Sequence, residues 1–239
     1  AVMEVFNHVI EDTYALLASR QHTEWSFNPD RAWGENASNE MVMLRDTAYE
    51  LGADGKKAVN YTCVTTSEKL AGEDKILLFG SDLGSFKGDT PYARIAFVRT
   101  DGVSDDDEAY RQIKDIDYVK YKVYPKGFMI RASVVNNREQ VRVSKQAVAD
   151  GIGFEKIGCS FIRKYKENPH VKSVTLIFVT DEGADYSALE KCAGKSDTIT
   201  NALNHIMDGL DLDCHSCKMK EICDEVDGMR EMHMKSAKR

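Results

Sequence analysis

The chain has 239 residues, 42% hydrophobic and 30% charged, the balance of an ordinary globule rather than of a disordered or membranous polypeptide. Its 32 basic and 39 acidic residues leave a net charge of -7, which disfavours a nucleic-acid partner. The longest apolar run, 174–179, is interrupted by Thr175 and falls far short of the ~20 residues that cross a bilayer, so no membrane partner is expected.

The N-terminal part reads as helical. Val5, Phe6, Val9, Ile10, Thr13, Leu16 and Leu17 recur on one helical face over about 4–19. Glu4, His8, Glu11 and Asp12 interleave with them, as in an amphipathic helix and not in a secretory leader, so a cytoplasmic location is expected. A loop holding Trp25, Phe27, Pro29, Trp33 and Gly34 follows. Its aromatics either plug the loop onto the body or line a binding site. Ser38 then predicts the N-cap of a second helix carrying Met41, Leu44, Ala48 and Leu51, stopped at Gly52.

From residue 58 the pattern turns to strands. Stretches 58–65, 75–79, 92–98, 118–124 and 128–135 are short and rich in β-branched or aromatic residues, with Gly80, Gly84, Gly88, Pro91, Pro125 and Gly127 as punctuation. Ser104 with Asp107 reads as a capping box, and Asp105, Asp106 and Asp107 as carboxylates at a helix start rather than a cation site. Ser144 predicts a cap for a short helix ended by Gly151. A longer helix over 154–166, a strand over 171–180 and a helix from Asp185, broken near Gly194 and resuming to Met207, complete the body. The expected fold is therefore α/β (α+β): a central mixed β-sheet flanked by helices over 58–183, a helical N-terminal part over 1–57, and a helical Cys-rich segment over 184–239.

That last segment carries the strongest chemical signal. Cys214, Cys217 and Cys223 stand in a C-x2-C-x5-C pattern. A tight turn brings the first two sulfurs to one side. The third follows on an apolar stripe of Met219, Ile222, Val226 and Met229 at helical spacing. Clustered thiols suit a soft metal, either iron–sulfur or zinc. In the cytoplasm, where thiols stay reduced, a metal site is a better reading than a disulfide. A [4Fe–4S] cluster needs a fourth ligand, from Cys192, Cys159, Cys63, His215 or His233; Cys192 is the nearest remaining thiol. His215 lies between two ligating cysteines with its ring turned away, and His233 lies ten residues beyond Cys223, ~15 Å along a helix. Both read as bystanders. Cys63 and Cys159 read as buried core thiols. Zinc and a bare thiol cluster stay open as alternatives. Arg131, Arg138, Arg142 and Lys145 form a basic cluster that reads either as an anion site or as solvated charge. No P-loop, G-x-G-x-x-G after a strand, G-x-S-x-G or H-E-x-x-H is present.

The stretch V-R-V-S-K-Q-A-V-A-D-G-I-G-F-E-K-I-G from Val141, followed by V-T-L-I-F-V-T-D-E-G ending at Gly183, resembles the middle region of nickel-containing acetyl-CoA synthase, the β subunit of the CO dehydrogenase/acetyl-CoA synthase complex. D-K-I-L-L-F-G-S-D-L from Asp74 extends the likeness loosely, so that it covers nearly half the chain. The resemblance implies anaerobic one-carbon metabolism and a corrinoid or other one-carbon protein as partner, for electron transfer or docking. It makes coenzyme A phosphates attractive ligands for Arg131, Arg138, Arg142 and Lys145. It also places Cys214, Cys217 and Cys223 where that family's first three cluster cysteines stand. No cysteine follows Cys223 and the family's Cys-Gly-Cys tripeptide is missing, so the synthase's nickel site cannot be built from this chain and nickel is disfavoured. The C-x2-C-x5-C spacing also resembles, over a short stretch, the auxiliary-cluster segment of some radical enzymes. Three functions stand at this point: an iron–sulfur partner protein, a metalloenzyme of acetyl or methyl transfer, and a zinc-stapled interaction module. The sequence leaves the oligomeric state open, a homo-oligomer included.

Overall fold

A computed structural model of the chain describes residues 2–103, 105–133 and 137–207. Two sheets carry the fold. The larger is five-stranded and mixed. It contains β1 (Thr23–Ser26), β3 (Ala58–Thr65), β4 (Lys75–Phe79), β5 (Tyr92–Thr100) and β8 (Val171–Val179) in the order β1-β4-β8-β5-β3. The pairs β4–β8 and β3–β5 are parallel, whereas β8–β5 and β1–β4 are antiparallel. The smaller sheet is antiparallel, β2 (Thr47–Leu51), β7 (Arg138–Ser144) and β6 (Phe128–Ser133) in the order β2-β7-β6.

The residue patterns explain the difference between the sheets. Every residue of β3 is buried, because the large sheet is covered on both faces and has no side left for water. In β7 burial alternates: Glu139, Val141 and Val143 point inward, and Arg138, Gln140 and Arg142 outward. One face of the large sheet receives α1 (Asn7–Leu17) and α6 (Tyr186–Met207). There Thr13 Oγ1 lies 2.7 Å from the Tyr61 hydroxyl, Ser196 donates to the Thr62 carbonyl at 3.0 Å, and the Tyr14 ring meets Phe97 edge-on at 5.2 Å. The other face receives α5 (Phe154–Tyr165), whose Phe154 and Phe161 pack on Phe178. A side chain at Gly158 would place its Cβ 2.4 Å from Ile76, so only glycine lets α5 come this close to β4.

On that same face the two sheets are joined by one ion pair. Arg94 of β5 meets Glu139 of β7 with Nε at 2.9 Å from Oε1 and Nη2 at 2.6 Å from Oε2. Their side chains are 1% and 0% exposed. Tyr92 donates to the same carboxylate at 3.2 Å, and the guanidinium lies 4.5 Å over the Phe161 ring. Burial disfavours the Arg94 charge, but Glu139 more than restores it, so Arg94 stays protonated throughout the accessible pH range.

Several expectations need correction. No helix spans 38–52. Residues Leu44–Asp46 form a 3-10 turn and Thr47–Leu51 are β2, in which Tyr49 and Leu51 face inward at period two. Met41 and Leu44, expected on a buried helical face, are 72% and 71% exposed. Pairing with β7 overrode a weak helical spacing. Trp25 lies not in a loop but in edge strand β1, opposite Ile76. The stretch 118–124 is not a strand: α3 (Asp106–Tyr118) runs into a 3-10 turn at Val119–Tyr121. Its buried Ala109, Ile113, Ile116, Val119 and Val123 keep three- and four-residue spacing, so helical periodicity prevails over the β-branched composition. The cap of α3 is Asp105, which accepts from the Asp107 amide at 3.1 Å; Ser104 lies outside the described residues. Helix α6 continues through Gly194 without a break. Ser144 does cap α4 (Lys145–Ala149), accepting from the Ala147 amide at 3.0 Å, and Gly151 follows it at φ +82°. Among the described residues no helix is long and apolar enough to cross a membrane.

Removing one partner of the Arg94–Glu139 pair strands a buried charge. Arg94→Leu or Glu139→Leu alone should each lose about 3–5 kcal/mol of unfolding free energy in urea. The double variant should lose much less than the sum, a non-additivity that a double-mutant cycle reads directly.

Candidate functional site

Strands β4 and β8 are parallel neighbours, so their C-terminal ends open on the same edge of the large sheet, where α/β folds commonly bind ligands. The chain turns sharply at both ends. Gly80, at φ +120°, follows β4, and its Cβ position would lie 2.4 Å from the Asp181 amide. The amides of Thr180 and Asp181 both donate to the Phe79 carbonyl, at 2.9 and 3.1 Å, while Thr180 Oγ1 donates to the Ser81 carbonyl at 2.8 Å. Asp181 Oδ1 accepts from the Gly183 amide at 2.9 Å, closing a tight Asx turn.

This crossing forms a ridge between two hollows. One, of about 680 Å³, is lined by Ser19, Arg20, Gln21, His22 and Thr23. The other, of about 460 Å³, is lined by Ser81, Ser85, Lys87, Thr90 and Glu182. Gly80 and Asp181 border both. Arg20 Nη1 lies 2.6 Å from Asp181 Oδ2, and its Nη2 donates to the Gly183 carbonyl. Beneath the ridge the Tyr186 hydroxyl is buried without a hydrogen-bond partner; burial and then Asp181 raise its pKa, with Arg20 opposing. Arg20 and Asp181 neutralise each other, while the exposed Glu182 beside them lines the second hollow. The sequence marks Gly80 as a turn and Thr180-Asp181-Glu182-Gly183 as a strand end, but does not single them out as a site. The signal was a glycine directly after a five-residue strand and a Thr-Asp-Glu-Gly at the end of the longest apolar run.

The residues singled out from sequence lie elsewhere. Arg131, Arg138, Arg142 and Lys145 share the outward face and the end of the β6–β7 ribbon, but three of them are committed to the protein itself. Arg142 Nε sits 2.6 Å from Glu50 Oε1, directly across from it on β2. Arg138 reaches the carbonyls of Gly52 and Lys56 at 3.4 Å, and Lys145 Nζ donates to the Arg45 carbonyl at 2.9 Å. Arg131 is exposed, opposite Gln140. These contacts tie β2 and its approach to β7, and they leave Arg131 as the one side chain of the four without such a tie.

Cys63 and Cys159 are buried, as their strand and helix positions led us to expect. Cys192 is buried too, beside Thr13 and Tyr61 where α6 meets α1 and β3, and burial raises its thiol pKa. Ligation of a metal would require its sulfur to leave that contact. Cys214, Cys217, Cys223, His215 and His233 lie outside the described residues. Among the described residues no three metal-ligating side chains converge. Helix α6 begins beside the ridge and follows β3, with Glu190 bonded to Lys57 and Ser196 to the Thr62 carbonyl. Its last described turn is thus carried away from the two hollows toward the opposite edge.

A comparison with protein families matches residues 32–184 to the family described as CO dehydrogenase/acetyl-CoA synthase complex beta subunit. No curated protein matches the chain. The family match takes in both sheets apart from β1, and it ends two residues before α6.

Gly80→Ala tests how the ridge is built. With a positive φ and a Cβ against the Asp181 backbone, the variant should lose about 1–3 kcal/mol of unfolding free energy. Chemical denaturation at neutral pH measures it.

Proposed function

The chain belongs to the CO dehydrogenase/acetyl-CoA synthase complex beta subunit family, and from that premise we propose that it is an iron–sulfur protein of one-carbon metabolism. In this reading Cys214, Cys217 and Cys223 hold a [4Fe–4S] cluster, and the α/β body is a scaffold that docks onto other subunits of a one-carbon complex, a corrinoid protein among them. The observation that carries it is the family match across the body, with the three cysteines following in the family's order. The cluster, when bound, supplies one-electron transfer.

The chain's own residues account for the rest. Cys214 and Cys217, separated by two residues in a C-x2-C spacing, would supply two thiolates, and Cys223 a third. The fourth ligand is the open position: Cys192 is the nearest thiol in sequence, and it is engaged in the α1–α6 contact. Electron transfer or docking is the function proposed because three cysteines in the family's order suit an iron–sulfur cluster.

Protein purified without air should contain about four irons and four sulfides per chain and absorb broadly in the visible. Cys217→Ser should lose most of that iron. Colourless protein with stoichiometric zinc would replace this reading with a zinc-stapled module. Cys192→Ala separates the ligand question from the cluster question: lost iron assigns the fourth position to Cys192, and unchanged iron places it elsewhere.

A further inference from the structure

The connections that follow β4 and β8 leave the large sheet in opposite directions. After β4 the chain turns toward α5, where Asp82 Oδ1 accepts from the Phe154 amide at 2.8 Å. After β8 it turns the other way, through 180–183 into α6, on the face shared with α1. The two strands are parallel neighbours, so their C-terminal ends lie between diverging loops. In open α/β sheets such a point of divergence is where small molecules bind. Here it is the ridge of Gly80 and Asp181, with a hollow on either side.

The hollows differ in the charge they leave unmatched. In the first, the Arg20 guanidinium is already engaged by Asp181 and the Gly183 carbonyl. In the second, Lys87 and Glu182 are exposed, and neither forms an ion pair among the described residues, with the other or with any third group. Opposite charges thus line one hollow without meeting. Asp89 lines it too; its Oδ1 accepts from the Glu50 amide at 2.8 Å, which leaves Oδ2 for a further donor. Ser81, Ser85 and Phe86 add two hydroxyls and an aromatic wall.

This lining selects its ligand by charge. A phosphate or a dicarboxylate would meet two carboxylates for one ammonium, and a simple amine would leave Lys87 unmatched. A molecule with an ammonium and a carboxylate on one short frame answers both signs through charge-assisted hydrogen bonds. The volume, about 460 Å³, lies within the range of small-molecule sites.

We propose that the hollow between the β4 and β8 connections binds a free α-amino acid. Glu182 and Asp89 take its ammonium, and Lys87 with the serine hydroxyls takes its carboxylate. The site goes beyond the iron–sulfur reading and does not depend on it, since the cysteine stretch takes no part.

Thermal unfolding of the full chain, with each common α-amino acid added singly, tests the proposal. At least one should raise Tm by about 5–10 °C at about a hundredfold excess over its Kd. Lys87→Met and Glu182→Gln, both at exposed positions, should keep the ligand-free Tm and lose most of that rise. The amide and the N-acetyl form of the same amino acid, each lacking one charge, should give little of it. If no amino acid raises Tm, or if the rise survives in both variants, the proposal is overturned. An equal rise from the amide or the N-acetyl form overturns it as well.

Discussion

The Arg94–Glu139 pair is the constraint on which the architecture turns. It is the place where the two sheets meet through charge, and both partners are removed from water. Exposed pairs such as Lys57–Glu190, 49% and 43% exposed, contribute about 0–1 kcal/mol and hold nothing in register. The buried pair is different in kind. Its two-point geometry fixes the position of β7 against β5, and among the described residues neither partner forms a second ion pair. Neighbouring contacts repeat the tie: the Gly52 amide donates to the Thr90 carbonyl at 2.8 Å, and the Asn60 amide to the Asn137 carbonyl at 2.8 Å. The small sheet is thereby locked onto the large one. Strand β5 is held beside β8 by its own antiparallel ladder.

Much of this was legible from residue patterns, and the failures have physical causes. Strands β3, β4 and β8 were readable because β-branched runs bounded by glycine or proline admit little else. The cap at Ser144 and the helix start in the acidic run before α3 were readable because this chemistry is local, although the cap there is Asp105 and not the expected Ser104. The helix expected over 38–52 failed because Met41, Leu44, Ala48 and Leu51 keep helical spacing while Tyr49 and Leu51 keep strand spacing in the same short window, and the partner that decided between them, β7, lies some ninety residues away. The ion pair was not legible at all. Arg94 and Glu139 are 45 residues apart, and nothing local marks an arginine in a β-strand as buried. The basic cluster was legible as a cluster, but its role was not, since Glu50 and the carbonyls that engage it come from distant segments.

Family membership and cysteine chemistry rest on different parts of the chain. The match covers 32–184, the body that the buried pair organises, and stops before α6. The thiols lie beyond it. Helix α6 joins the two, anchored on its inner face by Cys192, Ala193 and Ile199, all buried. The ridge at the ends of β4 and β8 lies on the edge from which α6 leads away.

The central claim is the nature of the metal centre at Cys214, Cys217 and Cys223. Electron paramagnetic resonance on dithionite-reduced protein, kept from air throughout, tests it most directly. The account predicts the half-integer-spin signal of a reduced [4Fe–4S] cluster, lost when all three cysteines are replaced by serine. A silent spectrum from a colourless protein carrying zinc would contradict it.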